Sequence, residues 1–168
     1  MNKTIFLRPL TITDSNISYQ WRNDPAIWKF TPFKPSSLIT QEIETQWLAD
    51  ALERKDQKRF AICLKKTGRY IGNVQLIKIQ NGEAEFHLFI GETDCWGKGL
   101  GELALILMLN YAFVELQLKN VMLQVHKDNV AAIKIYKRQG FKVVGYKDEY
   151  LDMVLNKDET NAFKKLMI

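Results

Sequence analysis

Residues 95–113 read CWGKGLGELALILMLNYAF. Gly97, Gly99 and Gly101 alternate with Lys98 and Leu100, and a long apolar run follows. Each glycine costs backbone entropy on folding, so the loop needs φ > 0 or a close approach to its backbone. A phosphate is the usual visitor at such a place. The first turn of a helix offers unpaired N–H groups and the positive end of a dipole. The apolar run predicts a buried helix over about 100–117.

The pattern on either side bounds the fold class. IFLRPL reads as an opening strand, and TDSNISYQWRND as a helix stopped by Asn23-Asp24-Pro25. WKFTPFKPSS is a loop. Residues 36–55 carry Leu38, Ile39, Ile43, Trp47, Leu48 and Ala51 at helical spacing. RFAICLKK, RYIGNVQLIKIQ and EAEFHLFIG then read as three strands, joined at Thr67-Gly68 and Asn81-Gly82. Asn-Gly between strand patterns signals a hairpin, so the middle of the chain is an antiparallel meander. After the glycine loop the order is helix, strand (NVMLQVH), helix (about 129–139) and one or two strands in FKVVGYKDEYLDMVLNK. The class is mixed α/β, with an antiparallel first half and a βαβα second half.

A length of 168 residues suits one domain over 1–168. No run of about 18 apolar residues signals a membrane span, and the N-terminus lacks a secretory apolar stretch. Cys63 and Cys95 show neither metal-ligand nor disulfide spacing, so no metal is expected and a cytoplasmic setting is the simplest. The net charge of +5 suits an anionic cofactor, and equally a weak association with RNA or a ribosome.

The glycine loop fails the P-loop template, because Gly97-Lys98 has Glu92 five positions back and Gly99 after it. Gly99 to Ala104 satisfies G-x-G-x-x-A, with Asp128 after the next strand. Yet five residues separate Gly91 from the glycines, and too little chain remains for the second half of a dinucleotide fold. DNVAAIKIYKRQGF supports a third reading. On a helix, Asn129, Ile133 and Tyr136 share one face, and Gly140-Phe141 ends it. Together, strand, glycine loop, helix, strand and N-x-x-A-I-x-x-Y-x-x-x-G-F resemble the GNAT superfamily of acyl-CoA N-acyltransferases. LRPLTITDSNISYQWRNDP resembles its RimJ/RimL-type branch. The superfamily loop usually opens on Gln or Arg, where this chain has Trp96.

The resemblance implies a central, mostly antiparallel twisted sheet of about seven strands flanked by about four or five helices. It implies acetyl-CoA as cosubstrate, its pyrophosphate on the N–H groups of Trp96, Gly97, Lys98, Gly99, Leu100, Gly101 and Glu102. Lys98 or Lys137 would screen charge. Asn129 would hold the pantetheine arm beside Ile133, and Tyr136 would donate to the departing sulfur. A backbone N–H at the end of EFHLFIG, at Phe89 or Ile90, would serve the carbonyl oxygen. Alternation sets Glu83, Glu85, His87 and Phe89 on one face of that strand. Glu85 is the first candidate base and His87 the second, with a water relay as the alternative. His126 reads as a polar strand end, and Trp21 as a core anchor. Trp28, Phe30 and Phe33 are candidates for the acceptor pocket.

The expected activity is therefore N-acetylation of a primary amine. Between Trp21 and Pro35, Asp24 stands alone against Arg22, Lys29 and Lys34. That balance favours an acceptor with its own negative charge, such as an amino sugar on a nucleotide diphosphate. A polyamine or a protein N-terminus is the alternative, and a non-catalytic acyl-CoA-binding module is the alternative of another class. No membrane and no direct nucleic-acid partner is expected; self-association as a homodimer is compatible with the sequence.

Overall fold

The computed structural model describes residues 4–32 and 34–162. Its elements follow the sequence pattern closely. Strand β1 (Ile5–Pro9) leads into helices α1 (Ser15–Arg22) and α2 (Gln41–Glu53). The meander comprises β2 (Lys58–Leu64), β3 (Tyr70–Gln80) and β4 (Glu83–Ile90). Then come α3 (Leu100–Asn110), β5 (Asn120–His126), α4 (Val130–Gln139), β6 (Lys142–Lys147) and β7 (Tyr150–Asn156). The seven strands form one sheet in the order β1-β2-β3-β4-β5-β7-β6. Asn81 and Gly82 both take positive φ (51° and 77°), as a two-residue hairpin turn of this kind requires. Helix α3 ends in a π-helical turn over Tyr111–Glu115 that keeps Ala112 and Phe113 buried.

One departure from antiparallel pairing organises the molecule. Strand β4 pairs with β5 in parallel, and only Glu83–Glu85 against Asn120–Met122. Beyond Glu85, β4 continues to Ile90 and β5 to His126 with no ladder between them. The sheet opens there into a wedge, and β4 presents unpaired backbone to it.

Two cores hold the sheet from its two faces. The larger contains Leu105, Met108 and Leu109 of α3, with Val121, Leu123, Met153 and Leu155 of the sheet. Full burial of each such side chain stabilises by about 1.5–3 kcal/mol relative to exposure. The smaller joins Trp21 and Leu48 to Ala61, Cys63 and Tyr70, with Phe89 packed against it. Trp21 is thus core, as its sequence setting suggested.

Helix α2 departs from expectation. It begins at Gln41, where the Thr40 hydroxyl accepts from Ile43 N, so Leu38 and Ile39 precede it. Only Leu48 and Ala51 of the expected apolar face are buried; Ile43 and Trp47 stay largely exposed. Glu44 is buried instead, accepting from Ser18 Oγ at 2.9 Å and Arg22 Nε at 3.1 Å. The contact between α1 and α2 is a polar clasp, which hydrophobic periodicity does not register.

Candidate active site

The glycine loop lies at the mouth of the wedge. Gly97 and Gly99 adopt φ of 70° and 74°, the left-handed region that favours glycine. A Cβ at either position would meet nothing within 4 Å. The backbone is thus bare on its outer side, as a cradle for a ligand must be. Gly99 caps α3 without any side-chain hydrogen bond, and the first intrahelical bond is Leu103 N to Gly99 O at 3.1 Å. The N–H groups of Leu100, Gly101 and Glu102 remain for an anion. The loop is anchored from below. Arg69 pairs with Asp94 at 2.8 Å and Glu92 at 3.0 Å. Trp96 donates its indole N–H to Ile90 O at 2.9 Å. Trp96 therefore ties the loop to β4, where the superfamily's usual polar residue would stand. Lys98 and Lys137 are exposed.

The expected contact of Glu102 narrows to its backbone. Its carboxylate is held by Arg138 at 2.7 Å and by Gln139 Nε2 at 2.7 Å, which staples α3 to α4.

Strand alternation sorts the donors on β4. Gly91 N donates to Ile71 O, and Phe89 O lies against Gly72, so these groups turn toward β3. Residues between them must turn the other way. The N–H groups of Leu88 and Ile90 then face the wedge. Phe89 does not: its side chain lies on the opposite face, 5.1 Å between ring centroids from Trp28 and 5.8 Å from Trp21. Leu88 is a donor that the sequence did not single out.

Helix α4 carries its motif to the other lip of the wedge. The Asn129 side chain accepts from Ala132 N at 3.3 Å and so caps the helix, leaving its amide N–H₂ group for other partners. Ile133 and Tyr136 pack against the larger core. The Tyr136 ring sits edge-on to Phe86 and Phe141, and burial pushes its phenol up to about 12. The hydroxyl makes no hydrogen bond with a described residue.

Glu85 and His87 meet on the opposite face of β4, His87 Nε2 lying 2.7 Å from Glu85 Oε1. The other carboxylate oxygen takes Lys78 Nζ at 3.0 Å. Lys78 sits in a bulge of β3 at φ 51°, between Ile77 and Gln80, which aims it across the strand. Burial pushes the Glu85 carboxyl up, but Lys78 and His87 together outweigh it and hold the group below the usual carboxylate range. A carboxylate so engaged is a weak base. An imidazole whose Nε2–H is held by it presents Nδ1 as the free acceptor. Glu85 is thus placed to hold the His87 ring by Nε2, with Nδ1 turned away from the pair.

After α1, Asn23 closes the base of the α1–α2 connection. Its amide donates to Ile39 O and accepts from Ile39 N, both at 2.8 Å. The connection it pinches off frames a cavity of about 820 Å³ lined by Arg22, Trp28, Lys29, Lys34 and Leu38 among others. No carboxylate residue lines it among the described residues. Phe30 is not part of this lining; its ring lies between Lys29 Nζ, at 5.2 Å, and His126, 5.6 Å between centroids. Phe33 lies outside the described residues. His126 is more than a strand end: its ring lies between Phe30 and Tyr150, with Nδ1 accepting from Asp128 N. His126, Asp128 and Glu149 bring possible metal-ligand atoms within 4.8 Å of one another. Glu149 is already paired with Lys127 at 2.9 Å, and Cys63 and Cys95 are buried free thiols elsewhere.

Among the described residues no helix is long and apolar enough to cross a membrane. The Acetyltransferase (GNAT) domain family matches residues 4–142. An uncharacterized N-acetyltransferase, p20, of Bacillus licheniformis is 27% identical over 86% of this chain and 82% of its own. The spermidine N(1)-acetyltransferase of Escherichia coli K12 is 30% identical over 84% of this chain and 75% of its own. The crystal structure of spermidine N-acetyltransferase from Vibrio cholerae in complex with CoA and spermine has the same fold. Its TM-score is 0.82 at 21% identity, covering 94% of this chain and 98% of that one. A wedge between two parallel central strands, a bare glycine cradle at a helix start and a family match across both agree: the chain belongs to the GNAT acetyltransferase family, the acetyl-CoA-dependent acetyltransferases.

Proposed function

We propose that the protein acetylates a primary amine that itself carries negative charge, with an amino sugar on a nucleotide diphosphate as the fullest example. The observation that carries this is the cavity beside Trp28, where Lys29 and Lys34 stand with Arg22, itself paired with Glu44, and no carboxylate residue lines the space among the described residues. A multiply charged cation would meet repulsion there; a phosphate would meet donors.

Bound acetyl-CoA supplies the acyl group as a thioester. Its phosphates would lie on the N–H groups between Trp96 and Glu102, and its pantetheine arm between Asn129 and the open edge of β4. His87 Nδ1 takes the proton of the acceptor's ammonium, while Glu85 holds the ring by Nε2–H. The wedge-facing N–H groups of Leu88 and Ile90 stabilise charge on the carbonyl oxygen. A phenol near 12 stays protonated throughout the neutral range. Full transfer from it to a thiolate of ordinary basicity, about 8.5, is uphill. Tyr136 therefore acts as a hydrogen-bond donor to the sulfur as charge develops, rather than as a freely ionising acid.

The RimJ/RimL-like branch and a cytoplasmic setting go with this reading, as does a single catalytic unit over the chain. A polyamine acceptor is the second reading, favoured by the 30% identity to the Escherichia coli spermidine enzyme. Release of free thiol from acetyl-CoA, measured with a nucleotide-linked amino sugar and with spermidine at equal concentration, separates the two. Faster turnover of spermidine overturns the proposal. Acetyl-CoA binding with no thiol release from any amine in a broad panel favours a non-catalytic module.

A further inference from the structure

The geometry points to Arg59 as the residue that takes the acceptor's anionic group, a phosphate or a carboxylate held beside Trp47 and Arg22 while the amine lies at His87. This deepens the anionic-acceptor reading and rests on it.

Arg59 lies on β2 opposite Gln75 of β3, and Gln75 lies opposite His87 of β4. The three therefore form one row across the sheet. Arg59 shares the parity of Ala61 and Cys63, which bury into the smaller core, so all three side chains belong to the acceptor face. Two inter-strand steps of about 4.8 Å set the Cα atoms of Arg59 and His87 about 10 Å apart. That span suits a compact amine with a charge at its other end.

The cation is ready for such a charge. Arg59 Nε donates to Gln57 Oε1 at 2.9 Å, and the guanidinium lies 5.0 Å from the Trp47 ring centre. Among the described residues no carboxylate pairs with it. Its charged neighbours are Arg22 and Arg54, and burial together with them brings the guanidinium down to about 10. A half-buried cation in a field of like charge is costly to hold without a counter-ion. The Arg22 guanidinium lies over the same Trp47 ring at 4.3 Å and over Trp28 at 5.4 Å. Trp28 in turn touches Phe89, two residues along β4 from His87. Two guanidiniums and two indoles thus run continuously from Arg59 to the cavity. Arg22 already holds Glu44 at 3.1 Å, so the fork offered to a ligand is that of Arg59; its planar shape matches phosphate and carboxylate oxygens, and the Trp47 indole keeps it in place.

The test uses the full chain saturated with CoA, so that the glycine loop is occupied and silent. Pyrophosphate and glutarate are titrated separately by calorimetry into wild type, Arg59→Gln and Arg59→Lys. At least one anion binds the wild type, and which one distinguishes phosphate from carboxylate. Arg59→Gln weakens that binding by about 10- to 100-fold. Arg59→Lys keeps part of it, since lysine supplies the charge without the fork. Unchanged acetyl-CoA affinity in both variants verifies the fold. No binding of either anion to wild type, or equal binding by Arg59→Gln, overturns the assignment. Spermidine turnover by a protein whose anion binding depends on Arg59 removes the acceptor reading and leaves the anion site standing. Turnover of a nucleotide-linked amino sugar by Arg59→Gln at the wild-type KM does the reverse.

Discussion

At Gly97 and Gly99 the molecule offers a ligand bare backbone, with empty space where side chains would be. Across the wedge, Arg22, Trp28, Trp47 and Arg59 offer side chains stacked on one another. The donor side is built from consecutive residues, a loop, a helix start and one helix face. The proposed acceptor side draws on α1, α2, β2 and the connection that Asn23 pinches shut. A cosubstrate with fixed chemistry can be held by main chain, whose positions depend on little but glycine and helix geometry. An acceptor must be distinguished by side chains, and their placement depends on the whole fold.

If the cradle works through backbone, Gly99→Val should give the largest effect. The substitution forces a β-branched residue to φ 74°, and the chain must move out of the conformation that aims its N–H groups. Because a Cβ meets no neighbour there, the damage stays local. Acetyl-CoA affinity should fall on the order of 100-fold, the equivalent of one or two charge-assisted hydrogen bonds. Calorimetry on a variant with an unchanged melting temperature checks it; equal affinity would break the donor half of the comparison.

Tyr136→Phe is next. Loss of a hydrogen bond to developing negative charge should lower kcat by about 10- to 100-fold with the acetyl-CoA dissociation constant unchanged. A wild-type rate, with chemistry shown to be rate-limiting, would leave Tyr136 as packing between Phe86 and Phe141.

The same contrast explains what was legible in the sequence. The meander, the Asn81-Gly82 turn, the glycine cradle and the Asn129-to-Gly140 helix all depend on neighbours within a few residues, and all are where the pattern put them. Helix α3 begins at Leu100, where the pattern put it, with Gly99 as its cap, and changes to a π-helical turn after Asn110. Lys78, Leu88 and Arg59 carried no local signal, and Trp47 read only as part of an apolar helix face. Lys78 matters because a bulge aims it at Glu85, and Arg59 because strand register sets it in a row with His87. Gly91 is a similar case: a Cβ there would lie 2.1 Å from the Trp21 ring, a contact made only when α1 docks on the sheet.

Stability gives a third, smaller test, at the turn that leads into α1. Asp14 accepts both arms of the Arg8 fork at 2.7 and 2.8 Å, and Thr11 N as well. Burial raises its carboxyl, but these donors outweigh it and hold the group below its ordinary value of 3.8. A carboxylate depressed in the folded state contributes stability above its unfolded pKa and loses it as pH falls through the folded one. Asp14→Asn should therefore cost about 1–2 kcal/mol at pH 7, toward the low end because Arg8 is partly exposed to solvent. The melting temperature should drop by about 3–6 °C. Below about pH 4 the gap between variant and wild type should shrink. A gap that stays constant with pH would mean the pair contributes through packing alone.

Glu85→Ala carries the smallest expected effect and decides the most. If Glu85 were itself the base, its removal would cost the whole base contribution, about 10²- to 10⁴-fold, and His87→Gln would cost little. If it orients His87, the order reverses. His87 is exposed to solvent, so without Glu85 its ring can still reach a productive rotamer and tautomer part of the time. Glu85→Ala should then lower kcat/KM by about threefold to tenfold, and His87→Gln by about 100-fold. The double variant should be no slower than His87→Gln alone, because an orienter has nothing left to orient. Additive losses in the double variant would instead give the two residues separate roles, and the acceptor face would hold two bases rather than one base and its guide.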